Sequence, residues 1–169
     1  LIDDLRYHKQ TLASNFEIRM IPAWRPDKAM AVDNTKNFAA YVKQLEEASG
    51  VTISNFKTFV DAIQKRHDYC HENGCRLSVH GIEEFYDEPY TDSQIETIFD
   101  MAMREQQLSN TEIRMFKHCM MKIFAEQDYE ANWTQQFHYG AIRDNNSKMF
   151  EILGPDTGFD SIGEFTTAK

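Results

Sequence analysis

The chain has 169 residues, of which 41% are hydrophobic and 27% charged, a composition typical of one folded domain with a sizeable core rather than of a disordered chain. Its 18 basic and 27 acidic residues give a net charge of −9, which argues against nucleic acid or an anionic membrane as a partner. No apolar run approaches the ~20 residues of a membrane span. The three cysteines form no CxxC pair, so we expect reduced thiols, no structural zinc site and a cytoplasmic location.

Three short segments predict β-strands, at residues 16–22, 75–80 and 134–139. Helices are predicted between them, because apolar residues recur there at helical spacing behind capping residues. The predicted capping residues are Asp33, Ser54, Thr91, Ser109 and Ser161, and the last three begin capping boxes with Gln94, Glu112 and Glu164. Strands separated by pairs of helices imply parallel pairing.

The predicted fold class is α/β, a partial (β/α) TIM barrel with about three parallel strands and helical crossovers. A closed barrel takes eight strands and typically ~250 residues, so three strands cannot close one. We therefore expect residues 1–169 to form a single barrel segment. The sequence opens without an initiator Met and both of its ends read like the interior of a protein, so an internal fragment of a larger barrel is expected.

Candidate site residues follow the predicted strands, where (β/α) barrels place their active sites. Arg25 comes after the first strand and could bind a carboxylate; the alternative is a surface arginine paired with Asp27. His80 and His138 end the second and third strands. Because period-two alternation gives each a polar neighbour on its own face, we expect both at the barrel mouth, in acid–base catalysis or metal binding. The alternative is that each is a hydrogen-bonded core residue.

A polar loop follows the third strand. Its residues Arg143, Asn145 and Asn146 could bind a polyhydroxylated ligand, or they could simply form a turn. The chain has neither GxGxxG nor GxxxxGK[ST], which disfavours nucleotide binding. The other four histidines, His67 among them, are interpreted as structural or surface residues.

Four strings carry a resemblance to a known family: IPAWRPDK at 21–28, GCRLSVHG at 74–81, HYGAIRDNN at 138–146 and LGPDTGFDSIG at 153–163. In this order they resemble the uronate isomerases of the amidohydrolase superfamily. The resemblance implies a hexuronate as the small-molecule partner, with D-glucuronate converted to D-fructuronate and D-galacturonate to D-tagaturonate through an enediol. It also implies a carboxylate-binding role for Arg25 and catalytic roles for His80 and His138.

The resemblance further implies zinc, which many members bind. Its expected ligands, a His-x-His pair on the first barrel strand and an Asp on the last, lie outside this chain, so no metal ligand is predicted within it. A homo-oligomer remains an open alternative.

Two positions depart from the family pattern. Val79 stands where the family usually has Asp, and Asp144 where it usually has Asn. We expect Val79 to face the helices. Two other functions stay open, a non-catalytic barrel fragment and a metal-dependent hydrolase of the same superfamily, and the 169-residue chain alone is expected not to isomerise glucuronate.

Overall fold

A computed structural model describes residues 1–155 and 157–164. The architecture is α/β. The six α-helices of this part are α1 (Arg6–Leu12), α2 (Thr35–Ser49), α3 (Phe56–Glu72), α4 (Asp92–Met103), α5 (Asn110–Glu130) and α6 (Ser147–Leu153), and a 3-10 turn spans Asp27–Ala29. The strands are β1 (Leu77–Ile82), β2 (Thr134–Tyr139), β3 (Ala141–Ile142) and β4 (Ser161–Ile162). No helix among the described residues is long and apolar enough to cross a membrane.

The capping boxes predicted for α4 and α5 are confirmed, at Thr91 and Ser109. Helices α2 and α3 begin one residue later than predicted, because the asparagines Asn34 and Asn55 cap them. The box predicted at Ser161 is wrong, because that residue is extended in β4. The remainder of the helix predicted there falls on residues 165–169, outside the described residues.

The parallel sheet consists of β1 and β2, paired in register from Leu77↔Thr134 to Ile82↔Tyr139, so the second and third predicted strands are confirmed. The strand predicted at 16–22 is wrong. The chain instead makes one parallel bridge to β1, in which Trp24 N donates to Leu77 O and Val79 N donates to Trp24 O. Pro22 and Pro26 lack the N–H groups that would extend this ladder on either side.

A second departure from the predicted parallel pairing is the small β3–β4 pair, which is antiparallel. It matches Ala141 with Ile162 and Ile142 with Ser161. The pairing brings the segment around Asp160 back onto the loop that follows β2.

The core lies between the helices and one face of the parallel sheet. Helical stripes supply most of it, and Phe38 of α2 packs edge-on against Phe59 of α3 and Phe116 of α5. Along β1, alternate residues are buried and half-buried, and the buried set is Ser78, His80 and Ile82. The face of β1 that meets the helices is therefore polar at two of its three positions.

Candidate functional site

A small pocket of about 190 Å³ opens at the carboxyl ends of β1 and β2. Its lining residues are Arg25, Gly81, Ile82, Glu83, His138, Ala141 and Arg143. Three of the predicted site residues, Arg25, His138 and Arg143, thus come together from two distant stretches of the chain. A neighbouring cavity of about 440 Å³ shares Arg25 and Arg143 and adds Lys28. The two linings together contain three cationic side chains and three carboxylates, those of Asp3, Asp27 and Glu83.

Arg25 is held by the 3-10 turn that follows it. Its Nε donates to Asp27 Oδ2 at 2.8 Å, and the same oxygen accepts from Gly81 N at 3.0 Å. The pair with Asp27 matches the alternative interpretation of Arg25, while its binding of a carboxylate stays a prediction for a residue that also lines the pocket. A Cβ at Gly81 would stand 2.6 Å from Arg25 Nη2, so the guanidinium lies where only a glycine leaves room for it.

The prediction that Arg25, His80 and His138 share one face is wrong for His80. The strand register pairs His138 with Gly81 and places Phe137 opposite His80, so the two histidines point to opposite faces of the sheet. His80 is 0% exposed, and its ring stacks on Phe124 of α5. Contact with a substrate does not fit this position, whereas the alternative interpretation, a hydrogen-bonded core histidine, does.

His80 belongs to a buried polar cluster centred on Asp128 of α5. Ser78 Oγ donates to Asp128 Oδ2 at 2.6 Å and lies 3.0 Å from His80 Nε2. On the other side, His67 Nε2 lies 3.3 Å from Asp128 Oδ1. Burial alone would raise the pKa of Asp128, but its bonds to His67, His80 and Ser78 outweigh burial and lower that pKa to about 2. Asp128 is therefore a buried carboxylate at neutral pH.

The opposite edge of the His80 ring faces Asp27, with Nδ1 3.7 Å from Asp27 Oδ1. Burial disfavours the imidazolium, yet the neighbouring Asp128 and Asp27 carboxylates outweigh it and raise the pKa of His80. The pKa of Asp27 is lowered, because the neighbouring His80 ring and the bonds from Arg25 and the Gly81 amide outweigh its own desolvation. His80 thus lies between two carboxylates, which favour the charged form of its ring.

The loop after β2 is organised by Asp160. Arg143 Nη1 donates to Asp160 Oδ2 at 2.6 Å and the Asp144 amide donates to Oδ1 at 3.1 Å. Asn146 Oδ1 accepts from Met149 N and so caps α6, while the Asn145 amide donates to Phe159 O. Of the predicted loop residues, only Arg143 lines the pocket with Arg25. The alternative interpretation, a turn, describes Asn145 and Asn146.

Val79 is half-buried and pairs in register with Gln136, on the face of β1 that alternates with Ser78 and His80. The expectation that Val79 faces the helices is therefore wrong. Its side of the sheet is the one toward which His138 also points. An Asp at this position would stand on the pocket's side.

The sequence did not predict that Asp27 would bond the Gly81 amide or that Asp128 would bond Ser78 beneath the site. A signal for Asp128 exists, because Phe116, Met120, Phe124 and Asp128 recur at intervals of four on the buried stripe of α5. An acid on such a stripe requires a polar partner. His67 was interpreted as structural or surface, and it is buried at 1% exposure.

Within residues 1–155 and 157–164, no group of three or more His, Cys, Asp or Glu side chains is arranged to hold a metal ion. The described residues therefore do not fit a zinc site by themselves. Cys70, Cys75 and Cys119 are buried free thiols.

The chain is similar in sequence to curated uronate isomerases. The uronate isomerase of Bacteroides thetaiotaomicron is 62% identical over 168 residues, which are 99% of this chain and 36% of that protein. That of Cellvibrio japonicus is 48% identical over 169 residues, again 36% of its length. The chain therefore spans about 36% of the length of these curated relatives.

Solved structures give the same fold. A crystal structure of uronate isomerase from Thermotoga maritima superposes with a TM-score of 0.91 at 31% identity, covering 97% of this chain and 36% of that one. Glucuronate isomerase from Caulobacter crescentus superposes at 0.85 with 20% identity, over 99% of this chain and 34% of that one, and supports the fold alone. The family model described as glucuronate isomerase matches residues 1–169. A match over the whole length means that this chain belongs to the glucuronate isomerase family.

Proposed function

We propose that this chain supplies the carboxylate-binding part of the active site of a uronate isomerase, which interconverts D-glucuronate with D-fructuronate and D-galacturonate with D-tagaturonate. The observation that carries the proposal is the convergence of Arg25, Arg143 and His138 on one pocket at the carboxyl ends of parallel strands. Two guanidiniums suit a substrate with a carboxylate at one end and hydroxyls along its length.

The reaction moves a proton between C2 and C1. A base removes the C2 proton of the open-chain aldose as the C1 carbonyl oxygen gains a proton, which gives an enediol. Return of a proton to C1, with loss of the proton on the C2 oxygen, yields the ketose. His138 is the group we assign to proton transfer, because it lies at the pocket with Arg25 and imidazoles exchange protons near neutral pH. Arg25 binds the carboxylate and so fixes which carbons face His138.

Zinc, implied by the family resemblance, would polarise the carbonyl oxygen. Its ligands would come from parts of the protein outside residues 1–169, so no step is assigned to it here. The same proposal includes the architecture. Residues 1–169 form one partial (β/α) barrel segment, which the remaining strands of a longer chain complete. The strand order and the likeness to the Thermotoga maritima enzyme support it.

A second function, a non-catalytic member of the family, is favoured by one observation. Val79 stands on the pocket's side of the sheet at the position where the family usually has an acid. Valine neither takes nor gives a proton. Family membership favours an isomerase over a hydrolase.

The test is a chimaera in which this chain replaces the matching 168-residue segment of the Bacteroides thetaiotaomicron uronate isomerase. Ketose formation from D-glucuronate is measured for the chimaera and for its Val79→Asp variant. We expect measurable turnover that rises about 10²–10⁴-fold with Val79→Asp, the usual worth of one acid–base group. Turnover by neither protein, although both fold, would favour the non-catalytic function.

We also infer a cytoplasmic location, which the buried free thiols support, and a hexuronate as the partner. A homo-oligomer is compatible with the exposed apolar side chains of Phe16, Ile18 and Leu12. Size-exclusion chromatography of the chimaera tests the last point.

A further inference from the structure

We infer that His80 and Asp27 are positioning residues, which hold the Arg25 guanidinium at the pocket by linking it to the buried cluster on helix α5. The inference rests on the proposed function for its kinetic consequence. Its structural content concerns only the residues of this chain.

Arg25 needs such support. Its side chain is 51% exposed, and among the described residues its hydrogen bonding passes through Nε alone, to Asp27. An arginine with one bond at Nε keeps its terminal nitrogens for a ligand, but its long side chain has many rotamers. Whatever fixes Asp27 therefore fixes the direction in which Arg25 presents its two terminal nitrogens.

Asp27 is hydrogen-bonded at one oxygen and faces His80 with the other. Oδ2 accepts from the Gly81 amide as well as from Arg25. Oδ1 and His80 Nδ1 are buried polar atoms without a hydrogen-bond partner, and they face each other at 3.7 Å, within ion-pair distance. Buried polar atoms rarely stay without a partner, so the side of Asp27 that is not bonded to Arg25 is directed at His80.

The Nε2 edge of the His80 ring is also held by polar groups. Nε2 lies 3.0 Å from Ser78 Oγ, which donates to Asp128 Oδ2, and Gln135 Nε2 approaches both His80 and Asp128. The groups that face His80 are thus Asp27 from the 3-10 turn, Asp128 from α5, Ser78 from β1 and Gln135 from β2. A continuous set of contacts runs from Asp128 through Ser78, His80 and Asp27 to Arg25. His80 acts through Asp27, and it does not touch the pocket.

Two substitutions distinguish the roles of the Nδ1 and Nε2 edges of the His80 ring. His80→Gln places an amide near the former Nε2 and leaves nothing opposite Asp27, whereas His80→Asn places an amide near the former Nδ1 and can still donate to Asp27. In the chimaera that carries Val79→Asp, we expect His80→Gln to raise KM for D-glucuronate about tenfold or more and to change kcat less. His80→Asn should recover most of this loss. His118→Gln is the control, because that histidine contacts Glu88 O outside this cluster, and it should leave KM within about twofold.

A purely structural His80 would give equal effects for Gln and Asn, with KM unchanged, and that result would overturn the inference. Crystal structures of the chimaera and its His80→Gln variant give a readout independent of turnover. We expect the Arg25 guanidinium to leave Asp27 Oδ2 or lose its density in the variant. An unchanged Arg25 would also overturn the inference. A chimaera without turnover would count against the proposed function alone, because these structures would still decide the role of His80.

Discussion

At the scale of single residues, one face of β1 packs on the helices that support the site, and the other face lies at the pocket. Ser78 and His80 point into the helices and are fully buried, while Val79 and Gly81 point the other way. The buried face of β1 therefore contacts the Asp128 carboxylate, and its other face meets the pocket. Substitutions on both sides can be tested.

Gly81→Ala tests the space that the Arg25 guanidinium occupies. The new Cβ would lie 2.6 Å from Arg25 Nη2 and 3.3 Å from Asp27 Oδ2. The end of an arginine side chain moves easily, so we expect the free energy of unfolding to change by less than about 1 kcal/mol. Displacing the guanidinium should nevertheless raise KM for D-glucuronate about tenfold in the chimaera. An unchanged KM in a folded Gly81→Ala variant would show that Arg25 does not need this position.

The pKa of Asp128 gives a prediction for stability against pH. Its folded pKa, about 2, lies below its ordinary value of 3.8, so the unfolded chain binds the proton first. The resulting stabilisation, about 2 kcal/mol, is present above pH 3.8 and lost as the pH falls towards 2. The raised pKa of His80 acts in the opposite sense, with a contribution present below its unfolded value and lost at higher pH.

Urea unfolding of the 169-residue chain and of its Asp128→Asn variant between about pH 2 and about pH 6 measures this effect. The difference between the two unfolding free energies should shrink as the pH falls from about 4 to about 2. A difference that stays constant over this range would show that Asp128 is not a paired carboxylate.

At this scale the sequence could predict that Arg25, His138 and Arg143 gather at one pocket, because His138 and Arg143 lie at the carboxyl end of β2 and Arg25 follows the Trp24 bridge to β1. The face of the sheet to which His80 points could not be predicted from the alternation of residues along the strand. Period two shows which residues share a face, but not which face the helices cover. Apolar residues normally mark the covered face, and here Leu77 and Val79 are half-buried while Ser78 and His80 are fully buried. The partner that makes this tolerable, Asp128, is 50 residues away from Ser78 in the chain.

At the scale of elements, helix ends were predictable where a side chain caps the backbone. Thr91 and Ser109 begin α4 and α5 with reciprocal bonds to Gln94 and Glu112. Such bonds are local, so four residues of sequence contain all the information they need. The segment 16–22 has the residue types of a strand, but strand formation also needs a neighbouring strand to pair with. Phe16 and Ile18 are 59% and 69% exposed there.

Ser109→Ala tests the cap of the longest helix. Ser109 Oγ accepts from the Glu112 amide and donates to Glu112 Oε2 at 2.7 Å. We expect a loss of about 1 kcal/mol in the unfolding free energy of the chain, the usual cost of removing a capping hydroxyl. Ser93→Ala, at an exposed position in the first turn of α4, is the control and should change stability by less than about 0.5 kcal/mol. Equal losses for both variants would contradict the assigned role of the cap.

At the scale of the whole molecule, the chain spans about 36% of the length of its curated relatives, and the proposed active site includes groups from outside residues 1–169. Catalysis needs reacting groups held to within about half an ångström. We therefore expect the 169-residue chain with added zinc to form no ketose from D-glucuronate above background. Turnover near that of the Bacteroides thetaiotaomicron enzyme would show that these residues are sufficient.

The proposed function depends most on Arg25 binding the carboxylate of the substrate. It is tested by kcat/KM for D-glucuronate of the chimaera carrying Val79→Asp, with and without Arg25→Gln. Arg76→Gln serves as the control, because that arginine donates to His71 O at the amino end of β1, opposite the pocket. We expect kcat/KM to fall about 10²-fold or more for Arg25→Gln, the worth of a charged hydrogen-bonding pair, and to change within about twofold for Arg76→Gln. Values of kcat/KM for Arg25→Gln within about twofold of the parent chimaera would contradict this role of Arg25.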